Sequence, residues 1–104
     1  MKLEFITPKE AVKYFDENAT PSQKIVIHAI LRELQKAEAK HPKWPSKNVT
    51  HAAAIVSEES GELIKAAIQY DHEGGQYDEI INEAVQTGAM CVRLLNNLND
   101  YKEK

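Results

Sequence analysis

All four prolines of this chain stand where a helix would begin or must stop, and this narrows its possible folds more than any other feature. Thr7-Pro8-Lys9-Glu10 combines a cap residue, proline at the first helical position and glutamate two places further on, which predicts a short helix over 8–18. Thr20-Pro21-Ser22-Gln23 repeats the pattern and opens a second helix from Pro21 to about Lys40. Ile25, Ala29, Leu31 or Arg32, and Leu34 fall near helical spacing, with Glu33, Lys36, Glu38 and Lys40 on a wet side. Pro42 and Pro45 then mark the loop His41-Pro42-Lys43-Trp44-Pro45-Ser46-Lys47, which cannot continue a helix. Ser46 or Asn48 can cap the next helix, expected from about Val49 to Tyr70. The Gly74-Gly75 pair breaks it, and a fourth helix is expected from about Gln76 to Leu98, leaving a frayed polar tail from Asn99 to Lys104.

No segment alternates with period two between turn residues, and there is no internal repeat. The expectation is one all-α domain over 1–104: a bundle of about four helices built as two long helical hairpins or a close relative. Hydrophobic content of 42% and charged content of 28% belong to a globular chain. No apolar run approaches the ~20 residues of a membrane span. Met1-Lys2-Leu3-Glu4-Phe5 carries an early acid and no signal-like apolar stretch, which points to a cytoplasmic protein. The net charge of -3 gives no basis for gripping a nucleic-acid polymer. Cys91 is the only cysteine, so no internal disulfide exists, and its apolar surroundings suggest an inert core thiol.

Chemistry concentrates in Ile55-Val56-Ser57-Glu58-Glu59-Ser60-Gly61-Glu62-Leu63. Residues three or four apart on a helix are neighbours, so Glu58, Glu59 and Glu62 gather on one stripe, joined by His51, beside Ala54, Ile55, Leu63, Ala66 and Ala67 as packing residues. Solvated acidic faces normally interleave lysines, and here Lys65 alone follows. On the fourth helix Glu79, Glu83, Gln86 and Met90 form one strip beside an apolar arc of Ile80, Ala84, Gly88, Cys91, Leu95 and Leu98. Packed antiparallel, the two helices can bring Glu59 and Glu62 toward Glu83 and Gln86, oxygen donors that suit magnesium or manganese. His28, His41 and His51 are ordinary helix or loop histidines on this reading, and Met90 is packing.

Glu59-x-x-Glu62 followed after a turn by Glu83-x-x-Gln86 resembles the paired acidic motif of the MazG-like superfamily. This group comprises all-α nucleoside triphosphate pyrophosphohydrolases, including phosphoribosyl-ATP pyrophosphohydrolase and the dimeric dUTPases. Glu58-Glu59-Ser60-Gly61-Glu62-Leu63 and Asn82-Glu83-Ala84-Val85-Gln86-Thr87-Gly88-Ala89-Met90-Cys91-Val92-Arg93 carry the likeness. It extends over residues 49–98, and more loosely over 21–48. The chain departs from the family at Gln86, or at Asn82 if the register starts from Glu79, where the family has aspartate. An amide offers a carbonyl oxygen but no charge.

The resemblance implies magnesium held by Glu59, Glu62 and Glu83, with Gln86 and Glu79 as further donors, and a water that attacks the α-phosphorus to release pyrophosphate. Glu58 is the candidate to orient or deprotonate that water. Lys24, Lys43, Lys47 and Arg93 are candidate phosphate contacts. Trp44 either stacks on a base or plugs the space between helices, and a chain with 7% aromatics favours the plug. A homodimer or homotetramer is expected from the resemblance and from the apolar stretch 84–98. The alternative is a non-catalytic helical interaction or nucleotide-sensing module with a degenerate metal site. A di-iron carboxylate bundle needs Glu-x-x-His pairs, which neither acidic helix has.

Overall fold

The computed structural model describes residues 6–101, all of whose regular structure is helical. The readings made on Met1–Phe5 and on the last three residues of the tail lie outside them. Helix α1 spans Pro8–Asn18, α2 Pro21–Lys40, α3 Val49–His72 and α4 Tyr77–Asn97, and a 3₁₀ turn follows at Leu98–Tyr101.

The caps act as their side chains allow. Thr7 Oγ1 accepts from the Glu10 amide at 3.1 Å. Thr20 and Gln23 form a reciprocal box, in which the Gln23 amide donates to Thr20 Oγ1 at 3.1 Å and the Thr20 amide to Gln23 Oε1 at 2.8 Å. Asn48, rather than Ser46, caps α3 by accepting from the His51 amide at 2.8 Å. The Ser46 hydroxyl instead donates to the Asn48 carbonyl at 2.7 Å. At the other end of α3 the amides of Glu73 and Gly75 both donate to the Gln69 carbonyl, at 2.9 and 2.8 Å. Gly74 turns the chain with a φ of 71°, and Gly75 passes so close that a Cβ there would lie 2.9 Å from the Gln69 carbonyl carbon. Tyr70 and Tyr77 meet edge to face across this turn at 5.2 Å.

Helix α4 is the shared element, packing against both α3 and α2. The approach of α2 depends on Gly88, where a Cβ would stand 3.0 Å from Ile30 Cδ1. The architecture is therefore one hairpin, α3–α4, crossed by α2, rather than two hairpins. Among the described residues buried apolar side chains are few: Leu34 of α2, Ala52 and Ala66 of α3, Ala89 of α4, and Tyr101.

Several packing expectations are corrected. Ile25 is 71% exposed, because nine residues of helix separate it from Leu34 and turn it to the opposite side. Leu31 and Ala54 are exposed too, and Ala52 is the buried alanine that the spacing argument passed over. On α4 the inward strip is Gln86, Ala89 and Arg93, whereas Ala84, Cys91, Leu95 and Leu98 of the expected core arc are exposed. Cys91 is thus a surface thiol and not a core one. The tail does not fray at once: Tyr101 is buried, its hydroxyl accepts from Trp44 Nε1 at 2.5 Å and donates to the Ser46 carbonyl at 3.3 Å.

Candidate functional site

Helices α2, α3 and α4 line an open cavity of about 500 Å³. Helix α2 contributes Glu33, Lys36, Ala37 and Lys40; α3 contributes Glu59; α4 contributes Gln86, Ala89, Met90 and Arg93. His41 and Pro45 of the following loop close one end. Helices α2 and α4 each supply side chains one turn apart along a single face, as the 3.6-residue repeat requires, and α3 supplies one. The wall is chemically divided, with carboxylates of Glu33 and Glu59, cations of Lys36, Lys40 and Arg93, and an apolar strip between them.

Glu59 is the electrostatic centre of the acidic part. Its half-buried carboxyl is held above the usual glutamate range, first by loss of water and then by the negative charges of Glu83, Glu62, Glu58 and Glu33. The sequence-predicted carboxylates therefore share one field, except Glu79. That residue is exposed in the first turn of α4, where an acid favours the helix dipole, and it neither walls the cavity nor acts on Glu59. Glu58 and Glu62 are exposed, and Glu83 and Gln86 are half-buried. As the side chains stand, no three of His, Cys, Asp or Glu among the described residues are grouped to hold a metal ion. Like charges on flexible side chains spread apart, so what the helices bring together is a negative field rather than a finished coordination shell. The donors, carboxylates with one amide carbonyl, are of the hard oxygen type that magnesium takes.

The basic candidates divide. Arg93 is 4% exposed and holds the loop in place: its guanidinium donates to the His41 carbonyl and lies 5.5 Å from the Trp44 ring centre while its flank walls the cavity. Trp44, half-buried, spends its face on Arg93 and its N–H on Tyr101, and it is not part of the cavity wall. These contacts tie the loop to α4 and to the turn that follows it. Lys24 is not part of the cavity wall. It donates to the Asp16 carbonyl at 3.3 Å and sits 5.9 Å from the Phe15 ring, tying α2 to α1. Lys47 is exposed in the loop, off the cavity wall, and Lys43 faces a separate shallow depression with Pro42 and Pro45.

Sequence reasoning passed over Glu33, Lys36 and Lys40, which it assigned to the wet side of α2. Their spacing of three, four and seven was the available signal, since such residues share one helix face. Which helix that face meets is not written in the spacing. No family model, curated protein or solved structure matches the chain.

Proposed function

We propose that this chain is a magnesium-dependent nucleotide pyrophosphohydrolase that converts a nucleoside triphosphate, or a related nucleotide, to the monophosphate and pyrophosphate. The observation that carries the reading is the divided cavity: Glu59, already burdened by four neighbouring negative charges, stands in the same wall as Lys36, Lys40 and Arg93. A carboxylate cluster of that kind gains from a dication, and a polyphosphate gains from both the dication and the lysines.

Glu59, Glu62 and Glu83 would hold the ion, with the Gln86 carbonyl as a neutral fourth donor. Magnesium bound there supplies charge neutralisation on the phosphates and a lowered pKa for bound water. Lys36 and Lys40 bind the phosphate chain as point charges. Ala37, Ala89, Met90 and Pro45 offer the base an apolar surface. Glu58 takes the proton of the water whose oxygen adds to the α-phosphorus, while the bond to the α–β bridging oxygen breaks and pyrophosphate leaves. The protein acts in the cytoplasm as an oligomer of identical chains.

The test is a pyrophosphate-release screen over canonical and modified nucleotides, with and without magnesium, on the native chain and on Glu59→Ala. Release that requires magnesium and is lost in Glu59→Ala supports the reading. A second reading, a non-catalytic nucleotide-sensing module, is favoured by the amide at Gln86 and by the ungrouped carboxylates. Magnesium-dependent nucleotide binding without pyrophosphate release from any nucleotide would decide for it.

A further inference from the structure

The loop at one end of the cavity is fastened from outside it. His41 and Pro45 are its two residues in the wall, and each is held at its own backbone or beside it. Arg93 donates to the His41 carbonyl. Tyr101 holds both neighbours of Pro45: its hydroxyl accepts from Trp44 Nε1 at 2.5 Å and donates to the Ser46 carbonyl at 3.3 Å. Tyr101 is itself buried, yet it lines no part of the cavity.

This loop is built to pass a displacement on. Pro42 and Pro45 have fixed φ angles, and each proline also restricts the residue before it, here His41 and Trp44. A segment stiffened at those four positions shifts as a body rather than bending between them. The Tyr101 hydroxyl, on the turn after α4, is therefore a fixed point for one wall of the cavity. Arg93 joins the two sides, with its flank in the wall and its guanidinium 5.5 Å from the Trp44 ring centre.

We propose that Tyr101, acting through Trp44 and Ser46, is a positioning residue that sets where Pro45 and His41 stand, and so how well the cavity grips the base of a nucleotide. The inference rests on the nucleotide reading for what the cavity holds, and not for the fastening itself. It divides the cavity by what places each part. Pro45 belongs to the apolar surface offered to the base and is placed by the loop, whereas Lys36 and Lys40, which meet the phosphates, are placed by α2. Tyr101 thus governs affinity for the base and leaves affinity for the phosphate chain alone.

Tyr101→Phe removes the hydroxyl and keeps the ring, and Trp44→Phe removes the N–H donor while keeping an aromatic face for Arg93. Calorimetric titrations with magnesium present would compare the canonical ribonucleoside and deoxyribonucleoside triphosphates with inorganic tripolyphosphate, on the native chain, both single variants and the double variant. Native helix content is expected throughout, with nucleotide affinity at least about tenfold lower in each single variant. The double variant should lose nothing beyond Tyr101→Phe, and tripolyphosphate affinity should stay within about twofold of native. Without any ligand, the NMR signals of the His41 ring protons should move in Tyr101→Phe, and acrylamide should quench Trp44, the sole tryptophan, more readily. Unchanged nucleotide affinity in Tyr101→Phe overturns the proposal. So does an equal loss for tripolyphosphate, or a further loss in the double variant. A native chain that binds no nucleotide refutes the nucleotide reading, and the His41 signals then decide alone: displaced signals sustain the placement of the wall by Tyr101, and unmoved ones overturn it. Should Tyr101→Phe not fold, Trp44→Phe decides by the same comparison of nucleotide with tripolyphosphate.

Discussion

Glu59 concentrates the tension in the acidic face. Its carboxyl is pushed up by burial and by Glu83, Glu62, Glu58 and Glu33, so the native state holds this proton to higher pH than the unfolded chain does. Between the ordinary glutamate value and the raised one, the native state binds more protons, and stability falls as pH rises. Glu59→Gln should therefore raise the melting temperature near neutral pH in the presence of a chelator, and the gain should vanish well below the ordinary glutamate value, where both states are protonated. Thermal melts at the two pH values check this; a neutral-pH loss would mean that the carboxylate has a stabilising partner. Gln86→Asp adds a charge beside Glu59 and should tighten magnesium binding in a calorimetric titration. Unchanged affinity would place the side chain outside the ion's reach. Arg93 is the contrasting case, a charge spent on architecture. Arg93→Ala removes the hydrogen bond to the His41 carbonyl and the packing on Trp44, at a cost of about 2–3 kcal/mol in urea denaturation. Arg93→Lys should recover only part of this, since an ammonium cannot stack flat on the indole.

At the scale of elements, α3 is long, well capped and locally costly at one point. Gly61 sits inside the acidic segment, and a Cβ there would meet nothing within 4 Å. Gly61→Ala should stabilise the protein by about 1 kcal/mol through helix propensity alone, read as a higher urea midpoint with an unchanged slope. Gly88 on α4 differs, because its missing Cβ is what admits Ile30. The elements themselves were legible in the chain: Thr7, Thr20 and Asn48 cap where their side chains permit, and the glycine pair ends α3. The inward face of α4 was not legible. Its apolar arc and its Gln86–Ala89–Arg93 strip both have helical period, and the more hydrophobic one is the natural choice for a core. Within the chain α4 buries the other, lining the cavity with α2 and α3, while of the apolar arc Gly88 is covered by Ile30 of α2 and Ala84, Cys91, Leu95 and Leu98 are exposed.

The chain is open for its length, with a radius of gyration of 15.7 Å against about 13 Å for a compact chain of this length. None of its helices among the described residues is long and apolar enough to cross a membrane. If the chain acts as the oligomer proposed above, its melting temperature depends on concentration, and the midpoint should climb by several degrees as the protein is concentrated from micromolar upward. A midpoint independent of concentration would show a protomer that is stable alone.

The amino-acid sequence by itself determined where helices begin and end and which residues carry charge, because caps, prolines and helical period are local physics. It also placed Glu58, Glu59 and Glu62 on one stripe of α3. Only the tertiary structure decided that Glu33, Lys36 and Lys40 of α2 stand in the same cavity wall as Glu59 and Gln86, that Arg93 and Trp44 lock a loop, and that the most apolar side of α4 faces outward. The reason is common to all three. A helix presents several faces of equal periodicity, and which one is covered depends on the crossing of partners distant in the chain, here α2 over α4 at Gly88.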